Sequence, residues 1–297
     1  MPPRGEMLVI GTLWAALRER TNQLSAESQT LESIARAIFK SWFVDFDPVR
    51  AKVEGREPEG MDAATADLFP DSFGGDELGQ MPQGWLVESM GCLCARVSMG
   101  PFGSDIKTDN FCSGGVPVVR GKNLTRGFVD DDFVYISDQK ADQLRNANAF
   151  SDDIVITHRG TLGQVGIIPV RSRFTRYVVS QSQMVLTASP DRATPHFLYH
   201  YLISREGQHQ LLANTSQTGV PAISRPTTSV KAMKVILPPR VEVLQAFESI
   251  TDGLMDRMNA NTAMSRTLGE IRDTLMSRLI SGKLRVPEAE KLVEAVL

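Results

Sequence analysis

The chain has 297 residues, 42% of them hydrophobic, and a formal net charge of −3, a composition typical of a globular protein with one large domain or two smaller ones. No run approaches the roughly 20 apolar residues that cross a bilayer, and the N-terminus has no small-residue cleavage site. The three cysteines, Cys92, Cys94 and Cys112, imply no disulfide framework. We therefore expect a cytoplasmic protein without membrane contact and exclude secreted and fibrous classes.

The net charge conceals an uneven distribution along the chain. Residues 45–80 carry 3 basic and 10 acidic side chains, whereas residues 85–235 carry 16 basic and 12 acidic ones. A locally basic domain is what a surface facing nucleic-acid phosphates requires. An excess of this size is also common in proteins that bind no DNA, so the charge permits such a surface without requiring it.

The first 46 residues predict a long amphipathic helix. Apolar side chains recur every three or four residues over 7–44, and neither proline nor glycine interrupts residues 12–47. Asp47 precedes Pro48, which disfavours the helical conformation and predicts the end of the helix. The side chains predicted to form its pairing face are Leu17, Leu24, Leu31, Ile34 and Ile38.

Residues 47–84 are rich in proline, glycine and carboxylates and predict an acidic linker, whereas residues 85–237 predict a compact α+β domain. One helix is expected over residues 195–213 of that domain. The short β-rich runs lie at residues 115–120, 133–136, 153–157, 165–170, 177–179, 184–187 and 233–237.

Residues 238–297 predict a second long helix followed by a C-terminal tail. Some 40 helical residues would measure about 60 Å, a length typical of a coiled-coil spacer rather than of a globular core. Residues 28–34 and 265–271 also share the pattern S-x-T-L-x-x-I, which favours two copies of one helical element paired antiparallel. The predicted pairing residues of the second helix are Leu254, Met258, Leu268, Ile271 and Leu275.

The patterns that could support catalysis are incomplete. Asp45 and Asp47 are followed by proline and have no acid-x-lysine partner, so they fit the end of a helix better than a nuclease metal site. His196 and His200 stand four residues apart but lack the adjacent glutamate of a zinc motif. The glycines of residues 160–166 have the wrong spacing for a dinucleotide loop. We therefore predict no catalytic centre, no metal and no cofactor.

The loops of the basic domain carry side chains that suit DNA. Arginine reads guanine and glutamine or asparagine reads adenine in the major groove, while lysine, serine and backbone N–H groups bind phosphates. Ordinary polar surface loops explain the same composition about equally well. The residues predicted to contact DNA are Ser104, Lys107, Arg120, Lys122, Asn123, Arg159, Thr161, Gln164, Gln181, Gln183, Thr218 and Arg225.

Several segments resemble the DNA-specificity (S) subunit of type I restriction–modification systems. Residues 34–52, IARAIFKSWFVDFDPVRAK, are similar to the central region of that family. Further similar segments follow along the chain: Gly84-Trp85, residues 100–104 (GPFGS), Arg159-Gly160-x-x-Gly163, Leu237-Pro238-Pro239 and residues 279–286 (LISGKLRV). Together these segments extend over most of the chain.

This resemblance implies a non-catalytic subunit that selects the DNA site for its partners. In the family, two target-recognition domains each read half of a bipartite site in double-stranded DNA, and two antiparallel helices set the spacer. The helices also dock modification (methyltransferase) subunits, and a restriction/translocase subunit completes the complex. Adenine methylation and cleavage belong to those partners.

The chain departs from that pattern because it contains one recognition domain. It is consistent with a natural half-subunit that works as a homodimer, with a truncated gene product, or with a partner of a second specificity chain. Two functional alternatives also stay open at this point. One is a non-catalytic assembly scaffold, and the other is a self-contained nuclease or methyltransferase.

Overall fold

The computed structural model describes residues 4–76, 79–102, 105–125, 127–216, 219–281 and 283–294. The chain forms two compact units, Met1–Ala35 with Gly253–Leu297, and Arg36–Asp252. No helix in these described ranges combines the length and the hydropathy of a membrane span.

The chain has an α+β fold in which helices and short strands are interspersed. Its two longest helices, of 40 residues each, lie toward the two ends of the chain. The helices are α1 Arg4–Phe43, α2 Asp47–Val53, α3 Ala63–Ala66, α4 Met90–Leu93, α5 Asp138–Gln143, α6 Pro195–Ile203, α7 Arg205–Leu212, α8 Pro226–Ala232, α9 Val241–Ile280 and α10 Val286–Glu294. The strands are β1 Phe73–Asp76, β2 Gly79–Pro82, β3 Leu86–Ser89, β4 Cys94–Met99, β5 Phe111–Cys112, β6 Val116–Val119, β7 Val134–Ile136, β8 Asn148–Ala149, β9 Ile154–Thr157, β10 Val165–Ile167, β11 Tyr177–Val179, β12 Gln183–Ala188, β13 Thr215–Ser216, β14 Ala222–Ile223 and β15 Lys234–Leu237.

In the first unit, α1 and α9 share one hydrophobic core. Leu17 and Leu24 of α1 are buried together with Leu268 and Leu275 of α9, and each pair is seven residues apart, the spacing of a coiled coil. Beyond this cluster the Asn261 side chain donates to Ser28 Oγ at 3.4 Å. Residue numbers therefore rise along α1 while they fall along α9, which confirms the predicted antiparallel pair.

The predicted place of Ile34 in the pairing face is wrong. Its side chain is 42% exposed, and the buried position at this level of α1 is Ala35. A ladder of alternating three- and four-residue steps averages 3.5 residues per turn, so the buried stripe of a 3.6-residue helix shifts along it. Five further residues of the predicted pairing face are partly buried: Leu31, Ile38, Leu254, Met258 and Ile271.

Two sheets form the centre of the second unit. One has the strand order β10-β9-β12-β4 and is antiparallel throughout. The other has the order β5-β7-β6-β11-β8, in which β6 and β11 run parallel. Strands β6 and β9 consist entirely of buried residues, VPVV and IVIT, as expected for strands covered on both faces. The sheets thus place a rigid core beneath the loops that leave them.

Three sequence predictions differ from this fold. The helix expected over 195–213 is two helices, because Ser204 adopts an extended conformation and its hydroxyl accepts from the N–H of Gly207 to start α7. Strands β1 to β5, β8, β13 and β14 were missed, since they are short or carry mixed polar residues that show little alternation. Residues predicted as an acidic linker include α2, α3 and β1, and Phe69 there is buried. The domain limits at residues 46, 84 and 237 stay predictions.

Candidate nucleic-acid interface

Strand ends from both sheets meet at one end of the second unit. Gln183, the first residue of β12, pairs with Thr157, the last residue of β9. In the other sheet the ends of β6 and β11 coincide, because Val119 pairs with Val179 in parallel register. The backbone N–H of Ser180 then donates to the Val119 carbonyl at 2.9 Å and continues the pairing of β6 with β11, and residues 180–182 lead directly into β12 of the other sheet. The loops 120–125, 158–164 and 180–182 consequently leave the sheets side by side.

A fourth segment, residues 219–225, is joined to these loops by backbone hydrogen bonds. The N–H of Gly160 donates to the Pro221 carbonyl at 2.8 Å, and the N–H of Ile223 donates to the His158 carbonyl at 2.9 Å. Arg225 follows with a positive φ of 45° at the start of α8. We name the four segments 120–125, 158–164, 180–182 and 219–225 the loop surface.

Buried polar side chains fix the loop surface from below. Gln183 Nε2 donates to Thr157 Oγ1 at 3.2 Å, and Thr157 Oγ1 donates to Gln164 Oε1 at 3.0 Å. The Ser180 hydroxyl donates to Gln183 Oε1. A Cβ on Gly121 would lie 3.2 Å from Gln164 Oε1, so this glycine lets the 120–125 loop approach closely. The hydrogen bonds connect segments 158–164 and 180–182, and segment 120–125 packs against them at Gly121.

Two residues predicted to contact DNA belong instead to this supporting layer. Gln183 and Asn123 are each only 1% exposed. Asn123 Oδ1 accepts from the Arg120 N–H at 3.0 Å, and Asn123 Nδ2 donates to the Asp131 carbonyl at 2.7 Å. Their amides are committed to internal hydrogen bonds, so the prediction of direct contact is corrected to a positioning role.

Other predicted contact residues lie on the outside of the loop surface. Arg120 and Gln164 are half-buried, and Arg120 Nε is a buried donor without a hydrogen-bond partner among the described residues. Lys122 forms an ion pair with Asp132, and that contact lowers the pKa of the Asp132 carboxyl. The exposed residues of the prediction within the loop surface are Lys122, Arg159, Thr161, Gln181 and Arg225.

Three predicted residues fall outside the four segments that define the loop surface. Lys107 is exposed but lies on the segment between β4 and β5, where its N–H donates to Asn110 Oδ1 at 2.9 Å. Ser104 and Thr218 lie outside the described residues. Their predicted contacts with DNA stay predictions.

The sequence analysis did not identify Gly100 and His158, which shape the loop surface from beneath. A Cβ on Gly100 would lie 2.0 Å from the Ser180 carbonyl oxygen, so only glycine fits at the end of β4. His158 is buried, with Nε2 3.2 Å from the Gln181 carbonyl, and burial lowers its pKa. Each lies next to a strand end, but the sheet order that brings these ends together is not visible in a single sequence.

Comparison with known proteins links the whole chain to one family. The family model described as "Type I restriction modification DNA specificity domain" matches residues 103–261, just over half of the chain. The type I restriction enzyme MjaIX specificity subunit of Methanocaldococcus jannaschii is 23% identical over 97% of this chain and 60% of its own length. The HindI specificity subunit of Haemophilus influenzae is 25% identical over 86% of this chain and 62% of its own length.

A solved structure supports the same fold. The type I restriction–modification S subunit of M. genitalium aligns with a TM-score of 0.55 and 13% identity, covering 93% of this chain and 61% of that one. At this identity the likeness concerns the fold alone. The chain spans about three fifths of the length of the curated relatives named above. On the evidence of the matched family model, it belongs to the type I restriction–modification DNA specificity family.

Proposed function

We propose that the chain is the DNA-recognition component of a type I restriction–modification complex and reads one half of a bipartite site. The observation that carries this proposal is the convergence of four separate segments on one end of two sheets. Each of three segments offers an exposed cationic side chain: Lys122, Arg159 and Arg225. Loops on a rigid scaffold are where binding residues are expected.

The loop surface supplies both kinds of contact that sequence-specific DNA binding needs. Arginine forms paired hydrogen bonds with guanine, and the exposed Gln181 carries an amide that can pair with adenine. Lys122 suits a phosphate. The buried Gln183–Thr157–Gln164 network beneath them restricts loop motion, so less conformational entropy is lost when DNA binds.

The remaining functions belong to partners in this proposal. The chain itself is non-catalytic, and modification subunits perform adenine methylation. A restriction/translocase subunit performs cleavage. The helix pair α1–α9 serves as spacer and as docking element for the modification subunits. The loop surface accounts for one half-site, and in this proposal a second copy of this chain or a second specificity chain reads the other.

A DNA-binding experiment on the assembled complex tests the proposal. The complex with modification subunits is titrated with duplex DNA containing its site, with Arg159→Ala compared against Arg192→Ala. Arg192 is an exposed arginine on the β12–α6 connection whose ion pair with Glu88 is a surface contact. If Arg159 reads guanine, its loss costs ~1–3 kcal/mol, roughly 5- to 150-fold in Kd.

The salt dependence supplies a second readout. Phosphate contacts make log Kd change linearly with log salt, and losing one contact reduces the slope by about one. Arg192→Ala should leave both affinity and slope unchanged. Binding that is insensitive to salt, or equal losses for the two arginine variants, would contradict the assignment of the loop surface.

A further inference from the structure

A cluster of ionisable side chains lies outside the loop surface, where α6 meets α9. His196 is the second residue of α6, and Glu248 and Asp252 are one turn apart on α9. His196 Nδ1 lies 3.4 Å from Asp252 Oδ1 and 4.0 Å from Glu248 Oε1. One nitrogen or oxygen atom from each of the three residues lies within 4.8 Å of the other two. Three side chains that can each offer a metal ligand therefore lie close together.

The capping of α6 explains only part of this cluster of side chains. Glu248 Oε2 accepts from the backbone N–H of His196 at 3.1 Å and so caps the first turn of α6. Glu248 Oε1 lies 3.4 Å from the same N–H and faces the His196 ring. A capping carboxylate explains Glu248, but it explains neither the Asp252 carboxylate nor the imidazole beside it.

A buried hydroxyl that lacks a well-formed hydrogen bond lies next to this cluster. Thr194 occupies the cap position of α6, yet its side chain makes no cap hydrogen bond. The hydroxyl lies beside the Glu248 carboxylate and is buried, but it forms no hydrogen bond of standard geometry with any described residue. Thr194 is only 9% exposed, and a buried polar atom of this kind is costly unless something satisfies it.

The local charge also favours a cation. The carboxylates of Asp252 and Asp152 both repel the Glu248 carboxylate, so three acidic groups lie close together. Asp152 approaches from the turn before β9 with a positive φ of 66°. Carboxylates crowded beside an imidazole repel one another until a positive charge joins them.

We propose that His196, Glu248 and Asp252 bind one divalent transition-metal cation of the manganese or zinc class. An imidazole nitrogen with carboxylate oxygens suits these ions. The Asp252 side chain is 61% exposed, which gives the cation a path from solvent.

Metal binding requires one local change. The Thr251 hydroxyl donates to the Phe247 carbonyl at 3.0 Å and accepts from His196 Nδ1 at 2.8 Å. Binding through Nδ1 replaces that contact, the Nδ1 proton passes to solvent, and the ring takes up a proton at Nε2 instead. Formation of the site would tie α6 to α9 within the second unit.

This proposal revises the prediction that the histidine pair binds no metal. His200 takes no part, because its Nδ1 donates to the His196 carbonyl at 2.7 Å and its ring stacks on Phe39. The partners of His196 come from α9, 52 and 56 positions later in the chain. Spacing within the α6 segment could not reveal them.

Manganese binding tests the proposal directly. The purified full-length chain is titrated with MnCl₂ while the electron paramagnetic resonance signal of free Mn²⁺ is recorded, and zinc is measured by calorimetry. We expect one equivalent of Mn²⁺ or Zn²⁺ per chain and an upward shift of Tm on binding. Asp252→Asn should weaken binding by about tenfold or more. Because Asp252 is exposed, this variant should fold normally, and circular dichroism verifies this.

The matched control is Glu270→Gln, which removes an exposed carboxylate from the same helix. It should bind metal with wild-type affinity. The proposal is overturned if neither ion binds with a Kd below about 1 mM. It is also overturned if Asp252→Asn and Glu248→Gln both bind as the wild type does. Neither outcome bears on DNA recognition by the loop surface.

Discussion

Truncation of Leu268 tests the helix pair, on which the antiparallel arrangement of α1 and α9 depends. The Leu268 side chain is 1% exposed and packs in the core that contains Leu17 and Leu24. Leu268→Ala removes three buried carbons, each worth about 0.8 kcal/mol, and leaves a cavity that adds to the loss. We expect the first unit to lose ~3 kcal/mol of stability.

Ile34→Ala is the matched comparison because the sequence pattern places both residues in the pairing face. The structure leaves Ile34 42% exposed, so its truncation should cost less than about 1 kcal/mol. Hydrogen exchange followed by mass spectrometry on peptides of residues 10–30 measures the opening of this unit separately from the second. Equal effects of the two substitutions, or a loss below ~0.5 kcal/mol for Leu268→Ala, would refute the assigned packing.

The remaining predictions concern buried polar groups. Asn261 is buried at a heptad position, so Asn261→Leu should stabilise the helix pair yet loosen its register, seen as higher thermal stability and mixed species in light scattering. Gln183→Ala should lower the free energy of unfolding by ~1–3 kcal/mol because Thr157 loses a buried hydrogen-bond partner. The exposed Gln181 is the comparison: Gln181→Ala should change the free energy of unfolding by less than about 0.5 kcal/mol and weaken only DNA binding. Asp153→Ala removes the carboxylate that lies 2.6 Å from the Arg96 guanidinium inside the domain. It should lower the free energy of unfolding, measured in urea, by ~3 kcal/mol. Asp273→Ala, at an exposed position of α9, is the control and should be nearly neutral.

Local patterns were sufficient for the helices and for several strands. The three-and-four spacing of apolar residues predicted α1 and α9, and the buried runs of β6, β9 and β11 were recognised from their β-branched residues. The shared S-x-T-L-x-x-I pattern pointed to the helix pair, and Leu268 within it is indeed buried against α1. These features depend on neighbours along the chain, which a sequence displays.

Features that depend on distant residues were not predictable in this way. In the sequence, a polar loop residue looks the same whether its side chain faces solvent or supports the loop from beneath. Gln183 and Gln181 could therefore not be distinguished. Their difference arises from the pairing of β12 with β9, which buries Gln183 against Thr157. The His196 cluster likewise requires α9 to pack beside α6. Tertiary contacts, rather than propensity, decide these cases.

Mapping of methylated adenine tests the central claim most directly. The chain is expressed with a cognate modification subunit in cells that contain no other specificity gene, and N6-methyladenine is mapped across the genome. We predict one methylated sequence motif that is absent when the chain is omitted and that broadens or disappears with Arg159→Ala but not with Arg192→Ala. A symmetric bipartite motif would indicate two copies of the chain, and an asymmetric one a second specificity chain. Methylation of the same adenines with and without the chain would contradict its role in choosing the site.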